Sequence, residues 1–213
     1  MVEEVDILFK NAAIYNSYFK KFFKGYLAVK NDRVVYTAEE YPETMKAEKE
    51  IDLAGKFIIP GLIDIHMHIE SSMAAPLQFA DEIIKHGLTT IVSEPHEIAN
   101  VFGIEGIKAM IRAGEEAVVD IYYAIPSSVP STSSELETTG AEISVKEVEK
   151  LMAEDKVICL GEVMNNEAVL SGNQELTINK ILSYLNKNHP DYIIEGHIPS
   201  LLGEDLARFA ASG

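Results

Sequence analysis

The sequence predicts an α/β protein: a small β-sandwich-like segment over residues 1–55, then an incomplete TIM-like (β/α) barrel over residues 56–213. Three observations predict it. Short β-prone runs joined by turn formers fill the start of the chain; strand-like and helix-like runs alternate from residue 57 onward; and each of those later strands ends in a polar cluster. The alternation repeats at roughly 30 to 40 residues, the rhythm of a parallel barrel whose active face lies at the strands' C-terminal ends.

In order, residues 5–9 (VDILF) and 26–30 (YLAVK) are β-prone, and Asn31-Asp32 is a turn pair leading into Arg33-Val34-Val35-Tyr36. Together they predict a small antiparallel unit. Between the first two runs, IYNSYFKKFFKG mixes aromatics with Lys20, Lys21 and Lys24, and in so acidic a chain it reads as a hairpin with one solvated face. Residues 39–50 (EEYPETMKAEKE) are polar and read as a connecting loop. Strand-like runs then cover 57–67, 88–93, 119–125, 157–163 and 192–197, with amphipathic helices at 76–86, 104–117, 144–154 and 174–187. The strands carry few polar residues until they end, as strands covered on both faces do. A closed barrel of this kind needs eight strands, so the chain is expected to be the N-terminal portion of a longer one.

Composition narrows the chemistry. With 47% hydrophobic residues the 213-residue chain can bury a core, while a net charge of −16 argues against a nucleic-acid partner, which is gripped with clustered Lys and Arg. A small neutral or cationic substrate suits that charge better. The single cysteine, Cys159, rules out an internal disulfide or CxxC knuckle and points to the cytoplasm. The first residues lack a signal-peptide pattern, and no run approaches a membrane span, so no membrane partner is expected. A half-barrel with an unpaired edge strand is expected to form a homo-oligomer.

The polar strand ends are DIHMH, SEPHEIAN, IPSSVP, GEVMN and EGHIPS. In the first, Asp64, His66 and His68 are two apart, so on a strand they stand on one face, and neutral imidazoles are ligands for Zn, Fe, Ni and Mn-class ions. Glu162 from the fourth strand and His197 from the fifth fall at the same mouth. A carboxylate among imidazoles can bridge two cations. His66, His68, Glu162 and His197 are therefore the candidate metal ligands.

FIIPGLIDIHMHIESSM, HGLTTIVSEPHEIANVFGIEGI, PSSVP, GEVMN and EGHIPSLLGEDL, in this order, resemble the adenine deaminases of the amidohydrolase superfamily, from about residue 5 to the end. The resemblance implies an amidohydrolase-type barrel and matches His66, His68, Glu162 and His197 to its metal ligands. It also implies a divalent metal, one or two ions, with Mn or Fe favoured and Zn possible. Glu94-Pro95-His96-Glu97 matches a family motif that usually reads Asp-Pro-His-Glu; Glu94 replaces the aspartate, and His96 and Glu97 join Glu162 as candidate catalytic residues at the mouth. A further histidine on the sixth strand and an aspartate on the eighth, both present in such relatives, lie outside the chain. The implied activity is hydrolysis of a C–N bond of a cyclic amidine: adenine, a purine base, becomes hypoxanthine and ammonia through metal-activated hydroxide.

Other routes close on inspection. Cys159 has no partner for the P-C-x-x-C of zinc nucleobase deaminases, Asn100 stands where H-E-x-x-H needs its second histidine, and no G-x-S-x-G elbow occurs. Gly103 and Gly106 are expected to flank a helix start. Two alternatives remain: another metal-dependent cyclic amidohydrolase, and a non-catalytic fragment serving as a binding module.

Overall fold

A computed structural model describes residues 3–130 and 137–213 and divides the chain into two compact units, ending at Gly61 and beginning at Leu62. In the first unit, β1 (Glu3–Asn16) and β2 (Lys21–Lys30) form an antiparallel hairpin, and β3 (Arg33–Ala38) pairs antiparallel with β2. The aromatic-and-lysine stretch is that hairpin, with Tyr18 and Phe19 exposed at its turn. The predicted loop over 39–50 is in part a strand. β4 (Met45–Asp52) runs parallel to β1, and so does the two-residue β5 (Phe57–Ile58), which gives one five-stranded sheet. Met45 and Ala47, two apart, reach the cluster of Val5, Leu8 and Ala28, while the charged residues between and after them face water. Because Phe57 and Ile58 pair with β1, the first unit extends to Gly61, six residues past the boundary expected at residue 55.

The second unit is a five-stranded, all-parallel sheet in sequential order: β6 (Leu62–Met67), β7 (Leu88–Ser93), β8 (Asp120–Pro126), β9 (Val157–Val163) and β10 (Ile193–Gly196). Sequential parallel pairing with helical crossovers is the half-barrel the alternation predicts. The helices are α1 (Pro76–Ile83), α2 (His96–Ala113), α3 (Val145–Leu151), α4 (Asn166–Ser171), α5 (Thr177–Asn188) and α6 (Gly203–Ala210). Their starts are chemically marked. Proline at the first position opens α1, a Ser144–Glu147 capping box opens α3, and the Asn165 side chain accepts from Ala168 N at 3.0 Å to open α4.

On β8, alternate residues go to opposite faces: Ile121, Tyr123 and Ile125 join the core under the helices, while Ala124 packs with Val92 and Cys159 in a separate cluster. Each fully buried aliphatic side chain contributes about 1.5–3 kcal/mol. α2 differs from expectation. It starts at His96 rather than near residue 104, and Gly103 kinks its interior with φ 58° and ψ −145°. The kink frees the Asn100 carbonyl to accept from Gly140 N at 2.8 Å and from the Thr139 hydroxyl at 3.0 Å. A β-carbon at Gly103 would meet Ala141 Cβ at 2.8 Å, so this glycine permits both the backbone angle and the close approach. No helix among the described residues is long and apolar enough to cross a membrane.

Candidate metal centre

At the C-terminal ends of β6, β7, β9 and β10 the chain gathers four imidazoles around one carboxylate. β6 ends at Met67, and the rings of His66 and His68 meet edge to face at 5.1 Å between centroids, on the same side as the strand period requires. Asp64, the third member of that row, accepts from His66 backbone N at 3.2 Å. Glu162 is the hub. It is buried, 6% exposed, and its backbone lies at φ 46°, a left-handed conformation that costs a non-glycine residue roughly 1–2 kcal/mol. That bend at the end of β9 places the carboxylate among the histidines.

His197 Nδ1 lies 3.0 Å from Glu162 Oε1, and His66 Nε2 lies 3.7 Å from the same oxygen. His68 Nε2 is 3.8 Å and His96 Nδ1 3.5 Å from Oε2. All four sequence-predicted ligands thus converge. Separations of 3.7 and 3.8 Å are too long for hydrogen bonds, so neither imidazole satisfies the carboxylate directly. Oε2 is buried without a hydrogen-bond partner among the described residues. A buried carboxylate oxygen so placed among imidazoles fits a divalent cation.

Glu94, whose role the sequence leaves open, is 1% exposed and organises the other side of the cluster. Its backbone carbonyl accepts from His68 Nδ1 at 2.8 Å, which leaves His68 Nε2 turned toward Glu162. Its Oε2 takes His96 Nδ1 at 2.7 Å and His96 N at 3.2 Å. His68, Glu94, His96 and Glu162 each offer a ligand atom within 4.8 Å of one another, a group that could hold a metal ion. Glu97, on the first turn of α2, instead accepts from the Ser71 hydroxyl at 2.7 Å, beside the cluster and outside the hub. Glu70 caps the same helix, taking Ile98 N at 3.3 Å, and burial raises its pKa. Cys159 is buried and its thiol pushed up to about 11, which removes it as a nucleophile.

The Glu94 hydrogen bond raises the His96 pKa from 6.5 to about 8, against an opposing effect of burial. A raised folded-state pKa stabilises the fold fully below the unfolded value of 6.5, and that contribution is lost as pH rises through about 8. The thermal midpoint of the metal-free chain should therefore fall from about pH 6 to about pH 9 by more than that of His96→Gln. Parallel melting curves for the two proteins would mean that the pair contributes nothing.

The profile of the amidohydrolase family matches residues 57–204. The chain belongs to the amidohydrolase family. Among curated amidohydrolase relatives it is 49% identical over 211 residues to an adenine deaminase of Clostridium perfringens, covering 99% of this chain and 36% of that protein. It is also 49% identical over 210 residues to adenine deaminase 2 of Shouchella clausii, covering 98% of this chain and 36% of that protein. The chain thus spans 36% of the length of these relatives. The crystal structure of an adenine deaminase superposes with a TM-score of 0.59 at 19% identity, covering 93% of this chain and 51% of that one. A β-aspartyl dipeptidase of Fervidobacterium islandicum gives 0.60 at 18% identity, covering 100% and 56%. These two likenesses show a shared fold.

Proposed function

We infer that this chain carries a metal-binding part of an enzyme that hydrolyses adenine to hypoxanthine and ammonia. The observation that carries the metal reading is the convergence of His66, His68, His96 and His197 on the buried Glu162 carboxylate. The choice of adenine rests on the 49% identity to adenine deaminases.

In this reading His66, His68, Glu162 and His197 hold one or two divalent ions, with Mn or Fe favoured. A divalent cation supplies Lewis acidity that makes hydroxide available near neutral pH. The residues provide the rest. Neutral imidazoles at His66 and His68 present Nε2 lone pairs, each fixed by what its Nδ1 meets. His96, held at Nδ1 by Glu94, exchanges a proton with the departing amino group through its other nitrogen. Glu97, which accepts from the Ser71 hydroxyl, orients the purine in this reading. The same reading includes a cytoplasmic setting and a homo-oligomer.

The test is elemental analysis of the purified chain, paired with ammonia release from adenine and from a cyclic ureide after Mn or Fe is added. The assay is run on the chain and on a longer polypeptide that contains it. Near-stoichiometric metal, lost in the His66→Ala, His68→Ala double variant, supports the site, and ammonia from adenine alone supports the substrate. Release from the ureide alone would move the reading to another cyclic amidohydrolase, and no metal in either polypeptide would end it.

A further inference from the structure

Three imidazoles of the cluster have Nδ1 held by Glu94 or Glu162, within the group already described. His66 differs. Its Nδ1 lies 2.9 Å from Oε1 and 3.1 Å from Oε2 of Glu195, so the carboxylate straddles the ring nitrogen. Glu195 lies on β10 and His66 on β6, the two outer strands of the five-stranded sheet, so the contact joins residues 129 apart across its strand ends. Both side chains are partly enclosed, at 27% and 33% exposure.

We propose that Glu195 is the positioning residue for His66, fixing its tautomer and the aim of its Nε2. An ionised carboxylate only accepts hydrogen bonds, so the ring it holds must carry its proton on Nδ1. Nε2 is then left with its lone pair, and it is this atom that faces Glu162 Oε1 at 3.7 Å. Without Glu195, nothing selects that tautomer: Nδ1 has no other hydrogen-bond partner among the described residues. A ligand imidazole that must first change tautomer and reorient binds more weakly, and removal of such outer partners typically lowers metal affinity 10–100-fold. Glu195 touches no reacting atom in this arrangement; it acts through His66. The link to metal affinity rests on His66 being a ligand, whereas the tautomer does not.

The experiment uses the 213-residue chain with Glu195→Ala, Glu195→Gln and His66→Gln variants, each checked for folding by circular dichroism. First, long-range 15N–1H spectra of the metal-free protein at about pH 8.5, where an ordinary imidazole is neutral, report the His66 tautomer, with His66→Gln assigning the signal. The expected result is an Nδ1–H ring in the unsubstituted chain, a mixture with Nε2–H in Glu195→Ala, and recovery of Nδ1–H in Glu195→Gln, whose amide oxygen still accepts. Second, Mn(II) alone is titrated and the free ion followed by electron paramagnetic resonance. Affinity should fall about 10–100-fold in Glu195→Ala and by less in Glu195→Gln.

An unchanged tautomer in folded Glu195→Ala overturns the proposal, as does a Gln variant that fails to restore it. If the tautomer responds but the unsubstituted chain takes up no Mn(II), the link from Glu195 to metal affinity is overturned for this chain while the hold of Glu195 on His66 stands. If Mn(II) binds equally well with and without Glu195, the metal reading stands and the positioning role is refuted.

Discussion

Glu162→Ala should strip metal from the chain, lowering affinity by well over the roughly 100-fold that loss of an outer partner costs. The reason is its central place. It is the one carboxylate within 4 Å of His66, His68, His96 and His197 at once among the described residues, and it lies buried at 6% exposure. Glutamine at the same position keeps the shape and one acceptor oxygen but removes the negative charge, so Glu162→Gln should also lose most metal while leaving the fold intact. Metal content by elemental analysis checks both.

Stability should move in a different order. At φ 46° alanine carries the same backbone penalty as glutamate and glycine does not, so metal-free Glu162→Gly should be more stable than Glu162→Ala by about 1 kcal/mol. Urea unfolding of the two metal-free variants checks the difference. Equal midpoints would show that the left-handed backbone at β9 stores no energy; metal retained by Glu162→Ala would show that the hub lies elsewhere.

How far the sequence reveals this site depends on what kind of information each residue carries. His66 and His68 are legible because a strand period of two is local, and Glu162 and His197 because barrel chemistry collects at strand ends. Glu94 is less so: a glutamate in an aspartate's place announces neither where its longer side chain reaches nor that its carbonyl holds His68. Glu195 was available in the same strand end as His197, as the acid in EGH, but its partner comes from β6, and no local pattern pairs the two. The fold shows the same division. The barrel strands follow from apolar runs bounded by polar ends, whereas β4 hides because an edge strand can be charged throughout and still place Met45 and Ala47 inward. The start of α2 hides because His96 and Glu97 are polar and Gly103 resembles a boundary where it is a kink. α4 is six residues long, too short to show a period.

Gly161→Ala is expected to couple packing to the site more directly than any core truncation. A β-carbon at Gly161 would stand 2.7 Å from Ala124 Cβ and 2.8 Å from Glu94 Cγ, both closer than real contacts allow. Ala124 Cβ can be cleared only by a small shift of the strands, and the Glu94 side chain must move as well to clear its own contact. Overpacking of this kind costs typically 1–3 kcal/mol. The displaced carboxylate would release His96 Nδ1, and with it the hydrogen bond that holds the His96 pKa near 8. The expected outcome is twofold: a loss of stability of about 1–3 kcal/mol in urea, and a fall of the His96 titration toward its ordinary value of 6.5, read by NMR on the metal-free chain. A variant that is destabilised while His96 still titrates near 8 would show that the strands alone yield and Glu94 keeps its place. In that case the missing side chain at Gly161 serves the sheet alone. If both shifts occur together, the absence of a β-carbon on β9 is what allows a buried glutamate from β7 to reach the histidine that opens α2.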